Sequence, residues 1–229
     1  MGEYARQYYV DVPQDTPLVR FVLISPALTF PDGTYSYDAA SPRYRWAAEA
    51  IDGARDAAIP WVVVGMHKPC LSTGEYACDP GPDLLNLLVE RRVDLVLMGH
   101  EHLYQRTAQL ATGPSCPAIE PGMFTATCVA DADSTMDKGA GTVFVTVGTG
   151  GRQLRELHPT DPEAPYFVAN QGSGANGTWG SLEVTATRTG LAARFVRAAG
   201  DDFTDTFLIS AASPETGLSP PAGERAPRG

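Results

Sequence analysis

The amino-acid sequence predicts an α/β fold. Three observations support this prediction: four short aliphatic runs bounded by turn residues, two segments of helical periodicity between them, and an alternating apolar–polar pattern after residue 180. Uninterrupted runs of valine and leucine are typical of strands in a sheet that is covered on both faces. These runs are residues 18–25, 61–66, 93–99 and 142–148.

Two helices are expected between the first three runs. In residues 41–58, Ser41 is suited to be the N-cap, Pro42 follows at the first helical position, and apolar side chains recur at helical spacing. A second, leucine-rich helix is predicted to begin at residue 79 or 81 and to continue to residue 92. Strand, helix and strand in this order form a βαβ pattern, which predicts parallel pairing.

The C-terminal part of the chain has a different pattern. Residues 181–198 predict a hairpin with its turn at 188–190, and residues 205–210 predict a further strand. Because apolar and polar residues alternate, these strands are expected at an edge or in a half-exposed sheet. Residues 111–140 are predicted to be loop-like, and residues 211–229, which hold proline, glycine and charge without aromatics, to be a disordered tail.

Composition and charge exclude several kinds of partner. The chain has 229 residues and a formal net charge of −10, without any block of basic residues, which argues against nucleic acid or an anionic membrane. No stretch reaches the roughly 18 consecutive apolar residues of a membrane span. The first twelve residues do not have the basic flank and apolar core of a signal peptide.

The four cysteines fall into two pairs that are close in sequence, Cys70 with Cys78 and Cys116 with Cys128. We expect two small disulfide-closed loops, although four cysteines allow three pairings. Disulfides indicate a secreted or otherwise extracytoplasmic protein. The alternative is four reduced thiols in a cytosolic protein.

Three of the four histidines directly follow predicted strands. His67 follows residues 61–66, and His100 and His102 follow residues 93–99. Ligands of parallel α/β sheets bind at the carboxyl ends of strands, so these side chains predict a site. In extended chain an H-x-H pair points both imidazoles the same way, toward one metal or two neighbouring ones. The alternative is that each histidine only caps its strand. The fourth, His158, lies in a polar loop and is expected at the surface.

Three segments carry a family resemblance: "VVVGMHKP", "VDLVLMGHEHLYQRT" and "GTVFVTVGTGGRQL". They resemble successive motifs of the calcineurin-like metallophosphoesterases, in particular the branch that resembles the purple acid phosphatases. The resemblance implies an α/β/β/α sandwich with mixed sheets, of which residues 1–210 are the C-terminal part. It also implies a hydrolase of small phosphate esters, in which a metal-activated water attacks phosphorus at a site with two ions.

Carried over to this sequence, His67 and His100 resemble ligands of one metal ion, and His102 resembles a ligand of the other. The ions are divalent or trivalent, and neutral imidazole suits zinc, iron or manganese. The general acid is unassigned, because only Glu75 and Asp79 follow the first histidine closely. Three further residues are weaker candidates for contact with phosphate, and each has a structural alternative. They are Lys68, Tyr104 and Arg106.

Other ligand motifs of the family are missing ahead of the first predicted strand. The D-x-H and G-N-H-E motifs are absent, no G-D-x-x motif precedes that strand, and the first residues resemble the segment that comes after G-N-H-E in relatives. We therefore expect this chain to begin past those motifs, to hold at most one weakly bound ion, and to be inactive without the N-terminal part of the domain. Two alternatives are a non-catalytic binding module derived from the same fold and a protein that binds a single zinc ion.

Overall fold

The computed structural model describes residues 2–174 and 176–211. The predicted tail lies outside these residues from position 212 onward. The helices are α1 (Pro42–Asp56) and α2 (Pro82–Glu90). The strands are β1 (Gly2–Glu3), β2 (Gln7–Val12), β3 (Val19–Leu23), β4 (Thr29–Phe30), β5 (Gly33–Thr34), β6 (Trp61–Gly65), β7 (Leu95–Met98), β8 (Tyr104–Thr107), β9 (Gln109–Leu110), β10 (Val129–Asp131), β11 (Thr135–Asp137), β12 (Val143–Val147), β13 (Phe167–Gln171), β14 (Thr178–Ala186), β15 (Gly190–Gly200) and β16 (Thr206–Ser210).

The four aliphatic runs form the centre of an eight-stranded mixed sheet. Its strand order is β1-β2-β3-β6-β7-β12-β8-β13. The four central strands, β3, β6, β7 and β12, are parallel to one another, and the flanking pairs are antiparallel. Helix α1 connects β3 to β6 and helix α2 connects β6 to β7, which confirms the predicted βαβ pattern.

Both helices pack on one face of this sheet. The hydroxyl oxygen of Ser41 accepts a hydrogen bond from the backbone N–H of Tyr44 at 3.0 Å, so it caps α1 as predicted. Helix α2 begins after Gly81, whose φ of +88° suits glycine. Both helices turn their apolar stripes toward the sheet, and the buried residues are Ala47, Ala50, Ile51 and Ala54 in α1 and Leu84, Leu85, Leu87, Leu88 and Val89 in α2.

A second sheet covers the opposite face, in the order β11-β16-β15-β14. Its strands alternate buried and exposed residues, as expected for a half-exposed sheet. Leu191, Phe195 and Ile209 from this sheet join Trp61 and Val145 of the large sheet in one apolar cluster. The described residues therefore form helix, sheet and sheet layers. Within them, neither helix is long and apolar enough to cross a membrane.

The segment predicted as loop-like, residues 111–140, contains two short strands. Strand β10 pairs with β9, and β11 joins the second sheet parallel to β16. Strands β8 and β13 were also not predicted, because their sequences, YQRT and FVANQ, lack an aliphatic run. All four residues of β8 are nevertheless buried, and their polar groups bond inside the protein.

The two sheets are joined by a buried charged network. Arg106 donates two hydrogen bonds, of 2.8 and 2.9 Å, to the carboxylate of Asp205, and the hydroxyl of Tyr104 donates a third at 2.6 Å. Both charged side chains are nearly inaccessible, with 3% and 6% exposure. Burial and the adjacent carboxylate raise the pKa of Tyr104, so its hydroxyl remains a donor.

Both expected disulfides are present, Cys70–Cys78 and Cys116–Cys128. The first closes a nine-residue loop, residues 70–78, that follows His67; we refer to it as the disulfide loop. The second lies in the segment between β9 and β10.

The network between the sheets predicts the outcome of a stability comparison. Asp205→Ala leaves the guanidinium of Arg106 buried without its counter-ion, so we expect a loss of about 3–5 kcal/mol in the free energy of unfolding. The matched control is Glu183→Ala, which removes an ion pair between exposed side chains on β14 and β15. That control should cost less than about 0.5 kcal/mol. Urea denaturation measures both, and equal losses would contradict the role given to Asp205.

Candidate active site

His67 and His100 meet at the carboxyl edge of the large sheet. His67 follows β6 and His100 follows β7, and the two strands are parallel neighbours. The Nε2 atom of His67 lies 3.0 Å from Nδ1 of His100, and the ring centroids are 4.8 Å apart. The adjacent backbones are also linked, since the N–H of Gly99 donates to the carbonyl of His67 at 3.0 Å. These two predicted site residues are thus in direct contact.

His102 makes a different contact from His100. The prediction that the H-x-H pair lies in extended chain is wrong, because His100 has a φ of +61° and the chain bends between β7 and β8. The Nδ1 atom of His102 instead lies 3.2 Å from the carbonyl oxygen of Gln153. Within the described residues, no group of three or more His, Cys, Asp or Glu side chains is arranged to hold a metal ion.

The contact of His102 identifies the ring nitrogen that donates a hydrogen bond to Gln153. A carbonyl oxygen only accepts, so Nδ1 is the donor in this contact. Histidines that bind metals commonly donate the other ring N–H to a carbonyl in this way. The contact with Gln153 therefore uses Nδ1 of His102 and does not involve Nε2. His102 is also near enough to His67 for its charge to help lower the pKa of that residue.

The turn that carries the histidines packs directly on neighbouring backbone. A Cβ atom at Gly148 would lie 1.7 Å from the carbonyl oxygen of Glu101, so only glycine fits there. The N–H of Gly148 also donates to the carbonyl of Leu103 at 3.0 Å. The end of β12 thereby packs against residues 99–103, which we refer to as the histidine turn. Its close approach explains the glycine that follows the fourth aliphatic run.

Electrostatics keep both paired imidazoles neutral. Burial is the main cause that lowers the pKa of His67 and of His100. The nearby ammonium of Lys68 lowers both pKa values further, and the guanidinium of Arg155 adds to the effect on His100. A neutral imidazole is the form that binds a metal ion.

The pair fits two positions of a metal site. With zinc–nitrogen distances of about 2.0–2.1 Å, two tetrahedral ligands stand roughly 3.3 Å apart, close to the 3.0 Å between the two nitrogens. The donor set of neutral imidazoles suits zinc, iron or manganese. The described residues supply this pair, with His102 nearby, and do not supply a bridged two-ion set.

The other predicted residues lie in different places. Lys68 stands beside His67 and forms an ion pair with Asp79 at 2.6 Å, so it remains a candidate for contact with phosphate. Tyr104 and Arg106 do not face the histidines. The expectation that they contact phosphate is corrected, because both are buried in the network with Asp205 between the sheets.

Three residues at the site were not singled out from the sequence. The ring of Tyr76 lies against His100 with centroids 4.3 Å apart. Glu101 is fully buried between the two histidines of the H-x-H pair, and Arg155 donates to the carbonyl of His100 at 3.0 Å. The disulfide loop was a signal for Tyr76, since it fixes a short segment close to His67. No sequence signal connects Arg155 to the site.

Part of the chain is similar in sequence to known proteins. The chain is 36% identical to an uncharacterized protein of Mycobacterium tuberculosis over 114 residues, which cover 47% of this chain and 20% of that protein. It is 24% identical over 143 residues to a purple acid phosphatase of Glycine max, covering 60% and 28% of the two chains. It is also 24% identical over 139 residues to an Fe(3+)-Zn(2+) purple acid phosphatase of Arabidopsis thaliana, covering 58% and 27%. No family model matches the chain.

A comparison of folds also finds a purple acid phosphatase. A purple acid phosphatase from yellow lupin seeds superimposes with a TM-score of 0.67 at 18% identity, over 90% of this chain and 32% of the lupin chain. The chain resembles the purple acid phosphatases in sequence and in fold. It spans between about a fifth and a third of the length of these relatives. The predicted fold class, part of a metallophosphoesterase sandwich with mixed sheets, is confirmed.

The charge on Lys68 predicts a measurable shift of both histidines. In metal-free protein, Lys68→Gln should raise the pKa of His67 and of His100, because a cation that disfavours imidazolium is removed. The chain's only other lysine, Lys138, lies far from the site and provides the control, Lys138→Gln. Histidine signals followed by NMR as a function of pH measure both.

The lowered pKa values of His67 and His100 also make the stability of the protein depend on pH. Because the folded-state pKa values lie below that of unfolded histidine, about 6.5, the unfolded chain binds protons first as pH falls. The wild type therefore loses stability as pH falls through 6.5 toward the lowered values, and Lys68→Gln should lose less. An unchanged pair of histidine pKa values in Lys68→Gln would contradict this assignment.

Proposed function

We propose that residues 1–210 are the C-terminal part of a metal-dependent phosphoesterase domain that hydrolyses small phosphate esters. The observation that carries this proposal is the convergence of His67 and His100 at adjacent parallel strand ends. It is supported by the resemblance in sequence and fold to purple acid phosphatases. The fold class alone would not specify a reaction, whereas two neutral imidazoles in contact indicate metal chemistry.

Each histidine has a distinct task in this proposal. His67 and His100 provide two nitrogen ligands to one ion, and His102 offers Nε2 to a second ion in the intact domain. When bound, such ions polarise the phosphate and lower the pKa of a coordinated water. The close backbone contacts at Gly99 and Gly148 keep these imidazoles oriented without a ligand. Lys68 contributes positive charge at the rim, which favours an anionic substrate in a chain of net charge −10.

For residues 1–229 by themselves we propose no appreciable turnover and at most one weakly held ion. Two cations a few ångströms apart need an anionic bridge to offset their repulsion. The sequence contains neither the D-x-H nor the G-N-H-E motif that would supply the bridge and further ligands. We propose that activity requires those motifs, on the same polypeptide or on a complementing one. The two disulfides support an extracytoplasmic location.

A second candidate is a protein that binds a single zinc ion. It is favoured by the 3.0 Å approach of two imidazole nitrogens, which suits one ion without any bridging group. A catalytic zinc site keeps three protein ligands and one open position, so this candidate requires His102 to turn toward the pair. A non-catalytic module of the same fold would retain the structure and bind no ion.

Metal titration tests the ion site that the first two candidates share and that the non-catalytic module lacks. We expect purified residues 1–229 to bind about one Zn²⁺ per chain, and His67→Ala and His100→Ala each to weaken binding at least about tenfold, because each removes one of two ligands. His158→Ala is the control, since the side chain of that residue is exposed and its backbone bond to Thr73 is kept by the substitution. Isothermal titration calorimetry gives both affinity and stoichiometry.

The same preparations are assayed with an aryl phosphate. We expect turnover to appear only when the segment with the missing motifs is supplied, and to be abolished by His100→Ala. Robust turnover by residues 1–229 alone that depends on His100 would contradict the proposed requirement. Failure of the wild type to bind any ion would favour the non-catalytic module.

A further inference from the structure

Tyr76 holds a defined position beside the histidine pair. It lies in the disulfide loop, its ring contacts that of His100 at 4.3 Å between centroids, and the residue is 37% exposed. A partly exposed aromatic ring that covers one face of a site imidazole is in reach of anything bound there. Neither the sequence motifs nor the proposed set of ligands gives this residue a task.

A buried carboxylate fixes the backbone of Tyr76. Glu101, which is fully buried, accepts a hydrogen bond from the N–H of Tyr76 at 2.6 Å. The disulfide loop reaches this carboxylate because position 74 is glycine: a Cβ there would lie 2.4 Å from Cδ of Glu101. The residue between His100 and His102 therefore attaches the disulfide loop to the histidine turn.

Arg155 compensates the buried charge and orients the side chain of Tyr76. Its Nη1 atom donates to Glu101 at 3.1 Å and to the carbonyl of His100 at 3.0 Å. Its Nη2 atom donates to the hydroxyl oxygen of Tyr76 at 3.1 Å, and the guanidinium lies 4.7 Å from the centre of that ring. One arginine thus contacts the histidine turn, the buried carboxylate and the tyrosine.

The hydroxyl of Tyr76 is left with a hydrogen to donate. A phenolic oxygen that accepts from a guanidinium still carries its own hydrogen. Among the residues that the structure describes, no acceptor for that hydrogen lies within hydrogen-bonding distance. A donor that is held beside a guanidinium and a metal-binding pair suits an anionic oxygen, such as one of a phosphate group.

We propose that Tyr76 is a substrate-contacting residue that donates a hydrogen bond to phosphate bound at the His67–His100 pair, and that Glu101 and Arg155 are its positioning residues. The identity of the anion rests on the proposed function. The placement of the ring does not, because it follows from contacts among side chains of this chain. The two parts are therefore tested by separate measurements.

Placement is tested by NMR on metal-free protein. The ring of Tyr76 should shift the His100 Hε1 signal upfield, and Tyr76→Ala gives the reference without a ring. We expect Tyr76→Phe to keep the upfield shift, and Glu101→Gln to lose most of it, because the amide cannot satisfy both Tyr76 and Arg155. Glu75→Gln is the matched control, since Glu75 also pairs with Arg155, at 3.2 Å, but is largely exposed. A His100 signal that is the same in Glu101→Gln and wild type would overturn the positioning role.

Contact with the anion is tested by titrating inorganic phosphate, with and without Zn²⁺, into wild type and Tyr76→Phe. Losing one hydrogen bond to a charged group should weaken phosphate binding by about tenfold. Equal affinities would overturn the donor role of Tyr76 and leave the proposed phosphoesterase function in place. No phosphate binding by the wild type under either condition would instead count against the proposed function and against phosphate as the ligand.

Discussion

The parallel pairing of β6 and β7 is the constraint on which the site depends. Val63 is opposite Leu95 and Gly65 is opposite Leu97, so both strands end at the same level. His67 and His100 follow these ends and come within 3.0 Å of each other without any ligand. A register shift by one residue would exchange the side chains of β7 between the two faces, so Leu95 and Val96 would each have to repack in the opposite core. Burial of the sheet on two faces thus also determines the geometry of the histidine pair.

Two ion pairs with buried carboxylates extend this order to the rest of the molecule. Arg106 and Asp205 connect the large sheet to the second sheet. Arg155 and Glu101 connect the disulfide loop and the chain after β12 to the histidine turn. In each pair the carboxylate has further hydrogen-bond donors, which offsets the cost of burying charge. Removing either partner leaves an uncompensated charge, and the pair between the sheets adds to the apolar contacts that also join them.

The sequence predicts the central part of the fold well because two physical signals coincide there. Aliphatic runs predicted β3, β6, β7 and β12, and helical spacing with an N-cap serine predicted α1. Strand β8 could not be predicted in this way, since its buried groups are polar and their partners are distant in sequence. The same limitation explains the error at Tyr104 and Arg106. Their closeness to the G-H-x-H motif says nothing about direction, and residues two apart on a strand share one face, here the face toward the second sheet.

The candidate site was predictable only in part for a related reason. Residue type and position identified His67 and His100, because strand ends of a parallel sheet meet. The orientation of His102 depends on one backbone dihedral, the φ of +61° at His100, which no pattern in the sequence indicates. That bend gives the H-x-H pair separate contacts, with His67 and Tyr76 at His100 and with Gln153 at His102. It also places the intervening Glu101 inside the protein, where its carboxylate reaches the backbone of Tyr76. The same buried carboxylate therefore brings an aromatic side chain to His100. Because His100 is covered by Tyr76 and His102 contacts Gln153, the two imidazoles have different surroundings although only one residue separates them.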